Sequence, residues 1–274
     1  MSIKKSDGSI VVDNPWNALK VYTPARIALG RTGTSLPTKP HLEFQLAHAR
    51  ARKAVHHELD VPALAQALKQ RGHDAHVLNS AAANRLIYLQ RPDMGRRLDD
   101  VSRAALQSLP KSQQTHDVAF VIGDGLSALA IEENATAFLD FMLPKLTGSG
   151  WRIAPLAVVK GARVAVGDEI GEILGSDMVV ILIGERPGLS SPDSMGIYMT
   201  FKPRTGLTDE SRNCISNVRK EGLSYEAAAH KLHYLMTEAR RRQTSGVHLK
   251  DEAETLAQVA APASADFLTN GNRP

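Results

Sequence analysis

A polar loop after an apolar, strand-like run is the first place in this sequence where chemistry could occur. The run from Met178 to Ile183 leads into Glu185. The loop that follows carries further polar side chains: Arg186, Ser190, Ser191, Asp193 and Ser194. A carboxylate and hydroxyls at a strand's end suit recognition of an amide, a hydroxyl or a ribose. Polar loops also serve as plain connections, but long ones are more often functional, so we favour a ligand-binding role.

A second candidate is Gly123-Asp124-Gly125, which separates a short apolar strand from a long amphipathic helix. Its glycines would let a ligand approach the backbone, and the helix N-terminus would offer free N–H groups. Ala128 takes the third position of a GxGxxG pattern, but no acidic residue follows a second strand about 20 residues on. The dinucleotide-binding interpretation is therefore weak. The alternative is a tight turn with Asp124 as a local cap.

A third candidate is the segment KGARVAVGD, residues 160–168, which follows the next apolar strand. Gly161 and Gly167 frame Arg163 and Val164, so the backbone of this turn could be open to a ligand. The alternative is a simple β-turn between two short strands, with a helix starting near Asp168. The residues alone leave both interpretations open.

Cys214 and the histidines give weaker indications. For the lone Cys214 we favour a small buried hydrophobe, because a nucleophile would need a histidine beside it and the nearest ones lie on the following helix. Two pairs of histidines are spaced three residues apart: His73 with His76, and His230 with His233. Neither pair has an evident third ligand, so exposed imidazoles are favoured over a metal site. We assign no catalytic residue and no metal ligand.

The order of predicted elements places the three candidates at one edge of a sheet. From Asp117 onward, nearly continuous apolar strands alternate with helices, which indicates an α/β domain with a parallel sheet covered on both faces. Ligands of such sheets bind outside the carboxyl ends of the strands. Up to Pro110 the chain is predicted to be mainly helical. We therefore predict an N-terminal extension and helical region, 1–110, and an α/β domain, 111–274, with mobile ends at 1–15 and after about 250.

Composition restricts the function further. Of the 274 residues, 43% are hydrophobic and 23% charged, which is typical of a globular protein, and no run approaches a membrane span. The lead lacks the apolar core of a signal peptide, and a single cysteine fits a reducing cytoplasm. Residues 1–110 carry a net charge of +7 and the remainder −3. With only 5% aromatic residues, a solvated face or an acidic protein partner is favoured over nucleic acid.

Several long phrases of the sequence resemble one family, the small (light) subunits of ethanolamine ammonia-lyase. The phrases are NPWNALKVYTPARIALGRTGTSLPT, EFQLAHARARKAVH, DVAFVIGDGLSALAIEENA, ERPGLSSPDSMGIYMTFKPRTGLTDESRNCISN and EGLSYEAAAHKL, and the likeness runs from about Asn14 to Leu249. The resemblance implies an adenosylcobalamin-dependent lyase that converts ethanolamine to acetaldehyde and ammonia by a radical rearrangement. It also implies a large, barrel-shaped catalytic partner subunit, a higher hetero-oligomer and a Rossmann-like C-terminal domain.

The same resemblance implies three cofactor-binding residues: Val164, Glu185 and Cys214. Val164 and Cys214 are expected to pack on the cobalamin, and Glu185 to accept a hydrogen bond from an amide or ribose hydroxyl. The sequence lacks a DxHxxG segment, which agrees with a cobalamin that keeps its own dimethylbenzimidazole on cobalt. Two rival hypotheses are a stand-alone Rossmann-like nucleotide-binding module and a non-catalytic interaction protein. Whether the lead directs the chain to a bacterial microcompartment stays open.

Overall fold

The computed structural model describes residues 11–12, 14–23, 25–110 and 115–253. Within these ranges the chain forms α-helices and one six-stranded sheet. The helices are α1 (Thr38–His56), α2 (Val61–Gln70), α3 (Arg85–Gln90), α4 (Asp100–Gln107), α5 (Ala128–Gly148), α6 (Val166–Ile173) and α7 (Tyr225–Arg242). The strands are β1 (Ala75–Asn79), β2 (His116–Gly123), β3 (Leu156–Lys160), β4 (Ser176–Gly184), β5 (Met195–Phe201) and β6 (Arg212–Val218).

The sheet is mixed rather than wholly parallel. Its strand order is β1-β3-β2-β4-β5-β6, and the first four strands in that order run parallel. β5 is antiparallel to β4, and β6 is antiparallel to β5. The connections into β5 and β6, residues 185–194 and 202–211, contain no α-helix. A parallel return needs a crossover of about a dozen or more residues, so these shorter connections send the chain back antiparallel.

Strand β1 lies in the part of the chain that the sequence predicts to be mainly helical. It pairs in parallel with β3, from Ala75 beside Leu156 to Asn79 beside Lys160. Of its five residues only Leu78 is buried. An edge strand with one buried side chain carries too short a period-two pattern to be recognised. The first part of the chain therefore contributes a strand to the sheet as well as helices.

Helices cover the two faces of the sheet unequally. One face, including Phe120, Val158 and Val180, packs against α5 and α7 in a large hydrophobic cluster. The other face, including Val121, Val159 and Ile181, packs against α6 and α4 in a smaller one. Full burial of side chains such as Phe120 stabilises the fold by about 1.5–3 kcal/mol each. We call the first of these two faces of the sheet the α5 face and the second the α6 face.

Local signals place two of the long helices, α5 and α7. Ser127 caps α5 by accepting a hydrogen bond from the Ala130 amide, and Ser224 caps α7 in the same way through the Ala227 amide. The last turn of α7 contains Arg240, Arg241 and Arg242, where the helix dipole favours positive charge.

Two sets of expectations fall partly or wholly beyond the described residues. The predicted mobile lead includes residues 1–10 and 13, and the predicted mobile tail includes 254–274. These residues lie outside the part of the chain that the structure describes.

Within the described part, no helix is both long and apolar enough to cross a bilayer. No three His, Cys, Asp or Glu side chains of that part converge as metal ligands. His73, His76, His230 and His233 are half-buried rather than exposed.

Candidate functional site

The turns that follow β2 and β3 are joined by hydrogen bonds within the protein. β2 leads into α5 and β3 into α6, on opposite faces, so the strand ends diverge where an open α/β sheet usually binds its ligand. The buried carboxylate of Asp124 bridges this point by accepting hydrogen bonds from the Gly161 and Ala162 amides, at 3.0 and 2.9 Å. Arg85 lies 3.5 Å from the same carboxylate. Asp124 is therefore a tie between two turns, while Ser127 is the N-cap of α5.

The glycines beside Asp124 serve the same packing. A Cβ on Gly123 would lie 2.6 Å from the Cβ of Ala162, and one on Gly125 would lie 2.2 Å from the carbonyl oxygen of Gly184. Gly125 also has a positive φ of 57°, which favours glycine. The space that these two glycines leave free is thus filled by Ala162 and Gly184 of the same protein. These glycines thus serve packing within the chain, which counts against their use as a dinucleotide-binding loop.

The turn that carries Val164 joins β3 directly to α6. The interpretation of this segment as a β-turn between two strands is therefore wrong. The Tyr88 hydroxyl donates to the carbonyl of Ala162 at 3.0 Å, and the Arg163 amide donates to the carbonyl of Gly95 at 2.7 Å. The Arg163 guanidinium also lies 4.3 Å from the centre of the Tyr88 ring. Val164 is half-buried at the margin of the α6-face cluster. The turn is held from several sides and presents Val164 in a fixed position.

We expect Asp124→Asn to destabilise the chain by about 1–3 kcal/mol, because the amide can accept only one of the two buried N–H groups now paired. Urea unfolding of the full chain, followed by circular dichroism, measures this loss. Asp93→Asn is the matched control, since Asp93 forms an exposed ion pair with Arg91 and such pairs contribute little. Equal stability of the two variants would show that the tie between the turns is energetically unimportant.

Glu185 connects the ends of β4, β5 and β6. Its carboxylate accepts hydrogen bonds from the Ser194 hydroxyl at 2.5 Å, the Ser216 hydroxyl at 2.6 Å and the Asn217 amide at 3.3 Å. A Cβ on Gly196 would lie 2.9 Å from the carboxylate, so the absence of a side chain there makes room for it. Glu185 is half-buried. Two carboxylate oxygens offer about four acceptor positions, so one remains beyond these three bonds.

The loop between Glu185 and β5 is anchored along its length. Its C-terminal end receives hydrogen bonds from Ser127 to the carbonyl of Pro192 and from Asn134 to the carbonyl of Asp193. Arg26, from the N-terminal part of the chain, donates to the Ser190 hydroxyl at 3.4 Å and to the Leu189 carbonyl at 3.3 Å. The loop thus has a defined shape, as a ligand-binding segment requires.

Cys214 lies on β6, and its side chain is exposed. The prediction of a buried hydrophobe is wrong because Cys214 lies on an edge strand, at a position that faces away from the α5-face core. Desolvation raises the pKa of the Cys214 thiol; a hydrogen bond with Tyr198 opposes the rise, and the negative charge of Glu185 adds to it. Tyr198 pairs with Cys214 across β5 and β6. At neutral pH the group is therefore a thiol, which suits packing rather than nucleophilic attack.

The structure brings Glu185, Tyr198 and Cys214 to one open surface. Ile181 and Ile183 point to the α6 face, and strand alternation places Glu185 on that side too. The cross-strand partners Tyr198 and Cys214 share it. Helix α6 packs over β2 and β4 and reaches Thr200 on β5 and Arg212 on β6, whereas Cys214 and Ser216 further along β6 are exposed. Val164 and Tyr198 border the same hydrophobic cluster. We call this surface the open face.

A buried ion pair that the sequence did not reveal supports the open face. Arg212 donates to the carboxylate of Asp168, and both side chains are 2% exposed. Asp168 lies on α6 four residues after Val164, and Arg212 lies on β6 two residues before Cys214. The pair therefore ties the helix next to one predicted site residue to the strand that carries another. Arg and Asp separated by 44 positions give no local signal in a sequence.

Comparison with known proteins identifies the family of this chain. A sequence model of the family described as Ethanolamine ammonia-lyase light chain (EutC) matches residues 13–250. The chain is 57% identical over 258 residues to the Ethanolamine ammonia-lyase small subunit of Pseudomonas aeruginosa (strain UCBPP-PA14), covering 93% of this chain and 94% of that one. It is 58% identical over 250 residues to the small subunit of the same name from Azotobacter vinelandii, covering 91% and 93%. The chain therefore belongs to the ethanolamine ammonia-lyase light chain family, the small subunits of this lyase.

Proposed function

We propose that the open face binds adenosylcobalamin, with Val164, Glu185 and Cys214 as contacts, at the junction with the large subunit of ethanolamine ammonia-lyase. One observation carries the proposal: a carboxylate with a free acceptor position stands beside an exposed thiol, on a part of the sheet that no helix of the described residues covers. A flat macrocycle has the shape to cover such a face. The names of the relatives support a large subunit, since theirs are small subunits.

The chemistry of the open face fits such a cofactor. A cobalamin carries amide side chains around a corrin ring and a ribose in its nucleotide loop, and both offer N–H or O–H donors. Glu185 supplies an acceptor, while Tyr198 and Ser216 supply hydroxyls that can donate or accept. Val164 and Cys214 supply apolar contact. None of these side chains is an imidazole, so they would hold the periphery of the group and leave the cobalt to other ligands.

The residues of this chain would position the cofactor and exclude water from it. When bound, adenosylcobalamin supplies the radical chemistry by which ethanolamine is rearranged to acetaldehyde and ammonia. Glu185 would orient the cofactor through a hydrogen bond at its remaining acceptor position. Val164, on its fixed turn, and Cys214, on β6, would pack against its apolar parts. This chain would contribute no catalytic residue, and the large subunit would hold the substrate.

The division of the chain belongs to the same proposal. Residues 1–110 would form an N-terminal helical region and residues 111–274 a Rossmann-like, cobalamin-binding domain. The parallel order of β1 to β4, with α5 and α6 on opposite faces, supports the Rossmann-like description. β1 ties the N-terminal region into the same sheet. We propose a hetero-oligomer in the cytoplasm, with a bacterial microcompartment as the alternative location.

Protection of Cys214 from alkylation tests the proposal directly, because it is the only cysteine in the chain. The complex with the large subunit is treated with iodoacetamide at about pH 8.5, where even a thiol with a raised pKa reacts, and the Cys214 peptide is quantified by mass spectrometry. With free adenosylcobalamin at about 100 times its Kd, only about 1% of sites are empty, so labelling slows by up to about 100-fold.

Three arms interpret the measurement. The small subunit alone, with and without the cofactor, gives the unprotected rate, and cobalamin absorbance in the complex reports binding independently of Cys214. Unchanged labelling in a complex that retains cobalamin would remove Cys214 from the site. If Cys214 is already unreactive in the complex without cofactor, the large subunit covers it instead.

A further inference from the structure

We propose that an exposed apolar and basic surface near the N-terminus is the docking site for the large subunit, which would offer it an apolar patch rimmed by acidic side chains. The surface, here called the N-terminal surface, consists of five residues: Trp16, Leu19, Val21, Leu42 and Leu46. This inference rests on the proposed function, since it assumes that the chain works with a large subunit. It assigns residues to that contact outside the open face.

The first half of α1 stands away from the body of the protein. The side chains of residues 41–46 are all exposed, and the helix buries only Ala51 and Ala54. Leu42 and Leu46 are one helical turn apart and are 56% and 53% exposed. Sequence periodicity predicts an apolar stripe here, and such stripes are normally buried. None of the residues that the structure describes buries it.

The exposure of its apolar side chains indicates that a partner covers the first half of α1. Isolated helices shorter than about 12–15 residues are marginal in water, and most helical stability in proteins comes from packing an apolar face. The N-terminal residue of α1 has no side-chain cap, since Pro37 occupies the N-cap position. Exposed apolar patches that are contiguous generally mark interaction sites. A partner seated on Leu42 and Leu46 would supply the missing packing.

The short 3-10 helix Pro15–Tyr22 extends the same surface. It buries none of its own residues, and Trp16 is 65% exposed. Lys20 from this segment and Lys39 and Glu43 from α1 line one cleft, so the two segments form a continuous surface. Further along, Arg26 contacts the Leu189–Ser190 stretch of the loop that begins at Glu185. A subunit docked on the N-terminal surface would thus adjoin the loop of the candidate site.

Charge identifies the kind of partner. Residues 14–56 contain seven Lys and Arg but a single carboxylate, Glu43. A second copy placed symmetrically on this surface would bring basic side chains against basic side chains, which disfavours a homodimer through it. An acidic rim on a different chain would complement it. Electrostatic complementarity of this kind chiefly sets specificity and the rate of association.

Two aspartate substitutions test the docking site. Leu42→Asp combined with Leu46→Asp is expected to weaken the complex with the large subunit roughly 100-fold or more, because both apolar anchors are lost and negative charge is introduced. Analytical ultracentrifugation of the full chain with the large subunit measures the Kd. Leu86→Asp on α3 and Val101→Asp on α4 are matched controls, being 60% and 79% exposed apolar residues elsewhere, and both should leave the Kd unchanged.

Hydrogen exchange keeps the test independent of how well the variants fold. In the unmodified chain, amides of the first half of α1 should exchange rapidly when free and be protected in the complex. Absence of that protection, or equal weakening by the control variants, would overturn the inference. So would a homodimer of the free chain that Leu42→Asp disrupts, or binding of nucleic acid in place of the large subunit.

The two proposals fail in distinguishable ways. A complex that forms without protecting α1 but still retains cobalamin overturns the docking site and leaves the cofactor site intact. A complex that protects α1 but retains no cobalamin overturns the cofactor site alone.

Discussion

Arg212→Met is expected to destabilise the chain by about 3–5 kcal/mol, because it leaves Asp168 buried without its charged partner. The guanidinium now donates to Asp168, to Asp209 at 2.9 Å and to the Leu207 carbonyl at 3.0 Å. Asp168 would keep only the hydrogen bond from Thr200. A loss of this size is a large fraction of the total stability of an ordinary domain.

The pH dependence of this loss has a defined sign. Burial raises the pKa of Asp168, and the positive charge of Arg212 opposes that rise. Without Arg212 the folded-state pKa lies further above the unfolded-state value of about 3.9. A carboxyl group with a raised folded-state pKa destabilises the fold only where it must ionise, so the penalty is absent below the unfolded pKa and grows as pH increases toward the folded one. The variant should lose less stability at pH 5 than at pH 8.

Urea unfolding of the single and double variants at both pH values measures these effects. Arg212→Met combined with Asp168→Asn removes both charges, so it should be more stable than Arg212→Met alone, and the double-mutant cycle isolates the coupling. Asp177→Asn is a surface control, since its ion pair with Lys202 is exposed. A double variant no more stable than the single one, or a loss independent of pH, would contradict the account. Because the pair ties α6 to β6, cobalamin retention in the complex should also fall.

Elements with a strong local pattern could be predicted from the sequence. The continuous apolar runs of β2 and β4 and the long amphipathic α5 and α7 were all recognised, because each buries enough of its own residues to impose a period. Their alternation predicted an α/β architecture, and the strand ends predicted where polar loops would gather. The loop after β4 does lie there, with Glu185 and Ser194 in contact.

Features fixed by distant partners could not be predicted in the same way. The long-range tie made by Asp124 could not be foreseen, because its partners, the Gly161 and Ala162 amides, lie nearly 40 positions away. Cys214 was expected to be buried, although its side chain is exposed on β6. Register and tertiary pairing decide such cases, and neither leaves a local signal.

The resemblance to the family contributed what spacing alone could not. Val164, Glu185 and Cys214 lie on three separate elements, and no motif of the residues themselves connects them. The structure places Glu185 and Cys214 on the open face beside Tyr198, the cross-strand partner of Cys214, and Val164 and Tyr198 border the same cluster.

Glu185→Ala is expected to weaken adenosylcobalamin binding to the complex by about 5- to 150-fold, which corresponds to the 1–3 kcal/mol cost of leaving buried donors without an acceptor. Two contributions combine in this loss. The carboxylate would accept a hydrogen bond from the cofactor, and it also holds Ser194, Ser216 and the Asn217 amide in place. A measured decrease in affinity alone would not separate direct contact from support of β6.

Ser216→Ala separates the two contributions, because it removes one of the supporting hydrogen bonds and keeps the carboxylate. Since Ser216 is exposed, its loss should cost little stability and change cofactor affinity by less than about threefold. Equilibrium titration of the complex with adenosylcobalamin, followed by cobalamin absorbance, gives the Kd of each variant. If Glu185 contacts the cofactor, Glu185→Ala weakens binding far more than Ser216→Ala, while both complexes assemble normally. Equal effects of the two variants would assign Glu185 to holding the strand ends together, and unchanged affinity in both would remove it from the site.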